Sequence, residues 1–143
     1  MSKNILILTG IFLSLLACKK ELDLTKDSYF GIKELLTSKN ASADCGENAD
    51  IEGKKIKVYG IIDEDNILLE TSTFVVQDKD NDKYSLNVEV DSTISEPLFE
   101  LLMEKAGKEV KIEGKIRGFD APANFNCTRK FVLQVSSMEA VSF

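Results

Sequence analysis

From Gly53 onward, apolar and polar residues alternate with a period of two, which is typical of half-buried β-strands. Five strands are predicted. The apolar positions are Ile56, Val58 and Ile62 in the first strand, and Phe74, Val75 and Val76 in the second, which covers Leu69 to Gln77. They are Tyr84, Leu86, Val88 and Val90 in the third strand, Val110, Ile112 and Ile116 in the fourth, and Phe131, Leu133 and Val135 in the fifth, which runs to about Val141. The polar turn Asp78–Asp82 predicts a hairpin between the second and third strands. A loop of about 12 residues separates the fourth strand from the fifth.

Between the third and fourth strands, the apolar period changes to that of a helix. Ser95 is the expected N-cap, Pro97 follows in the first turn, and Gly107 lies where the helix should end. The expected buried stripe is Leu98, Leu101, Leu102 and Ala106, with Ile94 and Phe99 in the two staple positions. A shorter helix is predicted ahead of the strands, with Phe30, Ile32 or Lys33, Leu35 and Leu36 at its apolar positions and a cap at Asp27 or Ser28.

A ten-residue pattern occurs twice, as Gly53–Ile62 and Gly107–Ile116, and both copies read G-K-x-[IV]-K-[IV]-x-G-x-I. The second glycine of each copy, Gly60 or Gly114, falls in mid-strand, where glycine usually marks a bulge or a sharp coil. With a helix between the third and fourth strands, this predicts a mainly β chain folded as a five-stranded OB-fold Greek-key barrel.

Three segments carry a resemblance to a known family: Gly53–Gly60, Gly107–Gly114 and Phe131–Ser136. Residues 53–141 resemble the tRNA_anti-like group of bacterial OB-fold proteins, which often occur as short exported chains or lipoproteins. The resemblance implies the OB-fold and a distant kinship to tRNA-binding domains, and it transfers no catalytic residue to this sequence.

The N-terminus carries a positive Lys3 and an apolar run from Ile5 to Ala17, which is shorter than the ~20 residues that span a bilayer. Its end, Leu15-Leu16-Ala17-Cys18, resembles the lipobox of bacterial lipoproteins. The resemblance implies cleavage before Cys18 and a palmitate-type lipid anchor on that cysteine. Because Lys19 and Lys20 after the lipid site offer no clear retention signal, we expect an outer-membrane protein that faces the periplasm or the cell surface. The alternative is an ordinary secretory signal with a chance cysteine. The predicted divisions are a signal peptide (1–17), a tether (18–28), a short helix and loop (29–52) and the OB-fold domain (53–143).

With Cys18 assigned to the lipid, Cys45 and Cys127 remain. In an oxidising compartment such a pair predicts a disulfide. It would close a loop of about 80 residues, and the chain-entropy model gives it up to ~4.5 kcal/mol. The alternative is two separate buried thiols.

Composition narrows the function. The formal net charge is −6, which disfavours nucleic acid as a partner, and the chain has no histidine, the commonest general base at neutral pH. Because no nucleophile elbow or phosphate loop is present either, we expect no enzyme activity and no cofactor. The predicted function is a lipid-anchored binding or scaffolding module, with the membrane, an envelope protein or a glycan as partners.

Two ligand sites are candidates. Asp78, Asp80, Asp82 and Glu89 match positions 1, 3, 5 and 12 of a calcium-binding loop, but Lys83 replaces the glycine of position 6, and a solvated acidic turn is the favoured interpretation. Oligosaccharide or single-stranded nucleic acid is the other ligand class, bound through the loop after the fourth strand. The residues proposed for it are Tyr59, Arg117, Phe119, Phe125, Arg129 and Lys130. Alternatively, the two aromatic rings of that loop, Phe119 and Phe125, pack over the barrel end beside Cys127. The acidic loop Asp63–Asn66 after the first strand would repel phosphate.

Overall fold

The computed structural model describes residues 18–143, so the predicted signal peptide (1–17) lies outside the described residues. The described chain pairs its strands in one sheet. The strands are β1 (Phe30–Gly31), β2 (Lys55–Leu68), β3 (Thr73–Gln77), β4 (Ser85–Val90), β5 (Glu109–Ala123), β6 (Asn126–Val135) and β7 (Val141–Ser142). The α-helices are α1 (Ile32–Leu36), before β2, and α2 (Ser92–Glu104), between β4 and β5. Short 3₁₀ turns occur at Lys39–Ala41, Leu69–Thr71 and Met138–Ala140.

Strands β2 to β6 pair in a closed circuit. β2 is antiparallel to both β3 and β5, and β3 is antiparallel to β4. β6 completes the circuit, antiparallel to β5 and parallel to β4. The prediction of a mainly β chain is confirmed. The sheet has seven strands rather than five, because β1 and β7 add two residues each at its edges.

The core lies inside this circuit and is filled by alternate residues of each strand. Their burial follows the period of two, because successive side chains of a strand point to opposite faces. The buried apolar side chains of β2 and β5 are those of Ile56, Val58, Ile62, Val110, Ile112 and Ile116. Helix α2 covers part of this core, and the ring of its Phe99 meets Phe74 of β3 edge to face, with centroids 6.2 Å apart.

The N-cap of helix α2 lies four residues before Ser95, the predicted cap. Asp91 is the N-cap, and its carboxylate accepts a hydrogen bond from the Thr93 amide at 2.9 Å. Ser95 is buried instead, with its hydroxyl 2.9 Å from that of Ser72. Pro97 therefore lies inside the helix rather than in its first turn, and the predicted staple does not apply. Leu98, Phe99 and Leu102 are buried together with Ser95, whereas Leu101 is exposed.

The first and second strands also have different bounds from those predicted. Asp63–Asn66, predicted as a loop, belong to β2, whose pairing with β3 is irregular between Ile62 and Ile67. The Asp63 carboxylate accepts a hydrogen bond from the Gln77 side chain at 2.9 Å, which attaches this acidic stretch to β3. β3 begins at Thr73 rather than Leu69, because Leu69–Thr71 forms a 3₁₀ turn.

The predicted loop of about 12 residues after the fourth strand is a long hairpin. β5 continues to Ala123 and β6 starts at Asn126, which leaves Asn124 and Phe125 as the turn. Asn124 has a φ of +52°, a left-handed conformation that asparagine tolerates in tight hairpin turns. β6 ends at Val135, and the chain then passes through a 3₁₀ turn to β7, so the fifth strand does not run to Val141.

Residues 18–28, predicted as a tether, contact the rest of the protein. Leu22 is buried, and its amide donates to the Asn40 side chain at 2.7 Å. The Lys39 amide donates to the Lys20 carbonyl at 2.8 Å. Helix α1 follows Gly31 as its N-cap, so the caps predicted at Asp27 and Ser28 are wrong. The division into domains stays a prediction.

Candidate ligand-binding groove

A groove of about 380 Å³ opens where β4 begins, beside the β5–β6 hairpin. Helix α1 and the 3₁₀ turn after it form its far wall. The residues that line it are Leu36, Ala41, Lys83, Tyr84, Ser85, Asn87, Phe119, Arg129, Lys130 and Phe131.

Three aromatic rings define the groove. Tyr84 and Phe131 pack against the core but are only partly buried, so each ring keeps an open side. Phe119 lies on the hairpin, where it pairs with Lys130, next to the pair formed by Gly118 and Phe131. Gly118, opposite Phe131, has no side chain, and the space in front of it is taken by the Glu52 carboxylate and the Arg129 guanidinium.

Cationic groups surround these rings. The Lys33 ammonium lies 5.7 Å from the centroid of Tyr84, and the Arg117 guanidinium lies 5.9 Å from that of Phe119. Arg117 is also paired with Glu89, which neutralises its charge. Across residues 18–143, by contrast, Lys33, Lys83 and Lys130 take part in no ion pair. Their ammonium groups are therefore available to an acidic ligand.

Arg129 holds the groove wall in place. Its guanidinium pairs with Glu52 and Asp120, at 2.9 Å for Asp120, and donates to the Asn48 side chain at 3.2 Å. These hydrogen bonds from Arg129 hold the pKa of Glu52 and that of Asp120 below their usual range. With two carboxylates bound, the Arg129 charge is already compensated, so this residue positions the hairpin.

The predicted disulfide is present. Cys45 and Cys127 are bonded, with their Cα atoms 6.0 Å apart. Beside the bond, the Gly46 amide donates to the Asp120 carboxylate at 3.0 Å. The loop that carries Cys45 is thus attached to the hairpin both covalently and through hydrogen bonds.

Two residues of the predicted ligand-binding set lie elsewhere. Tyr59 pairs with Gly31 and Lys111 on the sheet, outside the groove. Phe125 is fully exposed at the tip of the hairpin. Of the predicted set, Phe119, Arg129 and Lys130 line the groove, and Arg117 contacts it through Phe119.

The calcium candidates do not converge. Both Asp78 oxygens accept backbone hydrogen bonds, from Lys33 at 2.7 Å and from Asp80 and Asn81 at 3.1 Å. Glu89 is at the far end of β4, opposite Thr73, where it pairs with Arg117. Within residues 18–143, the group of side chains close enough to share a metal ion is Cys45, Asp120 and Cys127. Cys45 and Cys127 form the disulfide, so their sulfur atoms are not free thiolate ligands.

A larger cavity, of about 630 Å³, lies over β2 and β5. Its lysines are engaged by acids: Lys55 pairs with Glu113, and Lys57 pairs with Asp27 and, at 3.5 Å, with Glu113. The hydrogen bond from Lys55 keeps the pKa of Glu113 below its usual range. The larger cavity offers one aromatic ring, Tyr29, and the ammonium groups of Lys57 and Lys111 already lie over that ring. The smaller groove is therefore the better candidate.

Sequence reasoning did not assign Lys83, Tyr84 or Phe131 to the site. Tyr84 alternates with the apolar residues of the third strand and Phe131 with those of the fifth, so the pattern predicts both as core residues. Their positions could have indicated the site, because Tyr84 and Phe131 are each the first apolar residue of an alternating segment. A side chain at the end of a strand lies at the rim of the sheet, where it can be reached by a ligand.

No family model matches the chain, and no curated protein matches it. Among solved structures, it is similar to a Plasmodium falciparum SSB in complex with ssDNA. That similarity covers 62% of this chain and 90% of the other, at 16% sequence identity and a TM-score of 0.40. Within residues 18–143, none of the helices has both the length and the apolar character needed to cross a bilayer.

Proposed function

We propose that this chain is a lipid-anchored, non-catalytic binding module of the cell envelope and that its ligand occupies the groove at the start of β4. The observation that carries the proposal is a groove lined by three aromatic residues, Tyr84, Phe119 and Phe131, and by two lysines, Lys83 and Lys130, that form no ion pair within residues 18–143. Apolar faces combined with a few placed polar groups are typical of small-molecule sites.

The proposed ligand is an oligosaccharide, with acidic sugars bound more tightly than neutral ones. The C–H faces of a sugar ring pack on aromatic rings, while Ser85 and Asn87 offer a hydroxyl and an amide for its hydroxyl groups. The lysines favour a carboxylate on the sugar. A long phosphate backbone suits the chain less well, because the formal net charge of −6 opposes it.

We also propose that the circuit of β2 to β6 is an OB-fold Greek-key barrel related to the tRNA_anti-like group. The helix between β4 and β5 and the two glycine-containing repeats support this assignment. OB-folds bind ligands on the face of their second and third strands and on flanking loops. The groove lies beside the corresponding strand, β4.

The envelope location is proposed from Leu15-Leu16-Ala17-Cys18. Cys18 is a free, exposed thiol, as a lipid acceptor must be before acylation. An outer-membrane protein that faces the periplasm or the cell surface would meet glycans there. Its mass after extraction from membranes tests this part, because acylation of Cys18 adds the mass of the lipid.

Titration calorimetry tests the ligand. The chain from Cys18, with Cys18→Ser, is titrated with a neutral chito-oligosaccharide, a galacturonic-acid oligosaccharide and a single-stranded oligothymidylate. We expect the acidic sugar to bind best. Phe119→Ala and Lys130→Ala should each weaken it by about ten-fold, which equals ~1.4 kcal/mol. Tyr29→Ala, which removes an aromatic ring from the other cavity, is the matched control.

Equal affinity in the Phe119→Ala variant and the parent would overturn the groove as the site. Preferential binding of the oligothymidylate, with a steep loss at higher salt, would assign the groove to single strands instead. If the chain binds none of the three probes yet keeps protein partners in crosslinked cells after Phe119→Ala, its function is scaffolding.

A further inference from the structure

The tip of the β5–β6 hairpin stands apart from the rest of the chain in its chemistry. Residues 121–128 contain no charged side chain, although 29% of the chain is charged. Phe125 lies in the turn and is fully exposed. Below this tip, the pair formed by Asp120 and Arg129 is the first charged position on the hairpin.

The base of the tip is attached to the rest of the protein. The Cys45–Cys127 bond joins one strand of the hairpin to the preceding loop, and the other strand is held by hydrogen bonds to the Asp120 carboxylate. These attachments lie at the level of Asp120 to Pro122. The turn and the pair of Ala123 and Asn126 therefore project beyond them. With this base already attached, the hairpin strands need little further ordering when the exposed Phe125 ring meets a partner.

The same segment that holds the hairpin also holds the N-terminus. At one end, the Lys39 amide binds the Lys20 carbonyl at 2.8 Å; at the other, Cys45 is bonded to Cys127. Between them, Ser42 accepts from the Lys19 ammonium at 3.0 Å. A stretch of this length, partly 3₁₀, spans no more than about 20 Å. Cys18 thus has no free spacer, because the residues directly after it are attached to the protein.

We propose that the hairpin tip is a second membrane contact, in which Phe125 inserts into the interfacial region of the bilayer that carries the Cys18 lipid. This inference rests on the proposed lipid anchor. An anchor without a spacer keeps neighbouring surfaces at the bilayer, and an uncharged tip with an aromatic ring enters the interface without burying a charge. The part beyond the disulfide matches the shallow depth of ~5–10 Å at which interfacial elements sit.

The chain has no tryptophan, which makes a single-tryptophan experiment direct. The protein from Cys18 is prepared as Phe125→Trp and, as the matched control, as Met103→Trp. Met103 is an exposed residue of α2, with 68% of its surface accessible. Each variant is coupled through Cys18 to phosphatidylcholine vesicles that contain a maleimide-bearing lipid, without reductant, so that the disulfide stays intact.

We expect the emission of Trp at position 125 to shift to the blue on coupling and to be quenched by lipids brominated near the headgroup. The tryptophan at position 103 should show neither change. No quenching at position 125, or equal quenching at both positions, overturns the proposal; the first result would leave the tip free for a protein partner. The coupling replaces cellular lipidation, so this experiment tests the hairpin tip even if Cys18 is found unmodified in membrane extracts. Sugar binding is measured on uncoupled protein, so its outcome is also independent of this one.

Discussion

Gly60 and Gly114 lie at the two points where a strand exchanges one pairing partner for another. β2 pairs with β5 up to Ile61 and with β3 from Ile61 onward; β5 pairs with β2 up to Lys115 and with β6 from Lys115 onward. At each glycine the incoming strand passes very close. A β-carbon on Gly60 would meet the Gln77 carbonyl, and one on Gly114 would lie 2.5 Å from the Gln134 carbonyl. The repeated sequence around both glycines thus reflects one geometric requirement.

Alanine at either glycine should therefore destabilise the protein. The added methyl group has no room beside a backbone carbonyl, and such overpacking typically costs about 1–3 kcal/mol. Urea unfolding followed by circular dichroism gives the free energy of unfolding. Gly31→Ala is the control, because its β-carbon would have ordinary contacts at 3.4 Å and its φ of −65° suits alanine. Variants at Gly60 and Gly114 that match this control would contradict the interpretation.

The period of two predicts most of β2, β4 and β5, because the alternation of apolar and polar residues is a local property of the sequence. The repeated glycines mark where strands bend for the same reason. The β5–β6 hairpin was missed for the opposite reason. Pro122 and Asn124 favour a loop locally, and the strand there is held by remote groups, among them Glu52 and Cys45. The start of α2 was missed because Asp91 and Ser95 are both good caps, and only the tertiary structure buries Ser95.

In the groove, too, some residues could be predicted from the local sequence, whereas others are placed by contacts with remote segments. Phe119 and Lys130 were predicted as ligand-binding residues because they follow the fourth strand. The position of Tyr84 depends on α1 folding over the end of β4, a contact between segments far apart in sequence. An alternating pattern specifies which residues share a face, but it does not specify which remote segment covers that face.

Loss of the disulfide should lower stability more than any surface substitution. It joins residues separated by 82 positions, and closing a loop of that length stabilises the chain by up to ~4.5 kcal/mol, mainly through the unfolded state. The comparison is Cys45→Ser with Cys127→Ser against the parent, both in a Cys18→Ser background so that no free thiol exchanges. Unfolding in urea measures the difference. Equal midpoints would contradict this expectation and would show that the hydrogen bonds of Arg129 and of the Gly46 amide hold the loop and hairpin without the disulfide.

Acid should weaken the contact between Glu52 and Arg129. The hydrogen bond from Arg129 lowers the pKa of Glu52 in the folded state, so the unfolded chain takes up protons at this group first as the pH falls. The stabilisation is therefore complete above the unfolded-state pKa and is lost as the pH drops through the folded-state pKa. Glu52→Gln should be less stable than the parent at pH 7, and the gap should narrow toward about pH 3. Glu100→Gln, at an exposed site on α2, serves as the control. A gap that is independent of pH would contradict this assignment.

Asp78 should matter for folding, whereas the other acids of its turn should not. Its carboxylate accepts from the Lys33 amide at the start of α1 and from two amides of its own turn, which joins that turn to the helix. Asp78→Ala removes three hydrogen bonds to a charged acceptor and should cost about 1–3 kcal/mol. Asp82→Ala, at an exposed site of the same turn, should change the free energy of unfolding by no more than about 0.5 kcal/mol.

Because Glu89 is paired with Arg117 at the other end of β4, millimolar calcium or a chelator should leave the unfolding temperature of the parent unchanged. A rise with calcium that disappears in Asp82→Ala would instead establish the turn as a cation site.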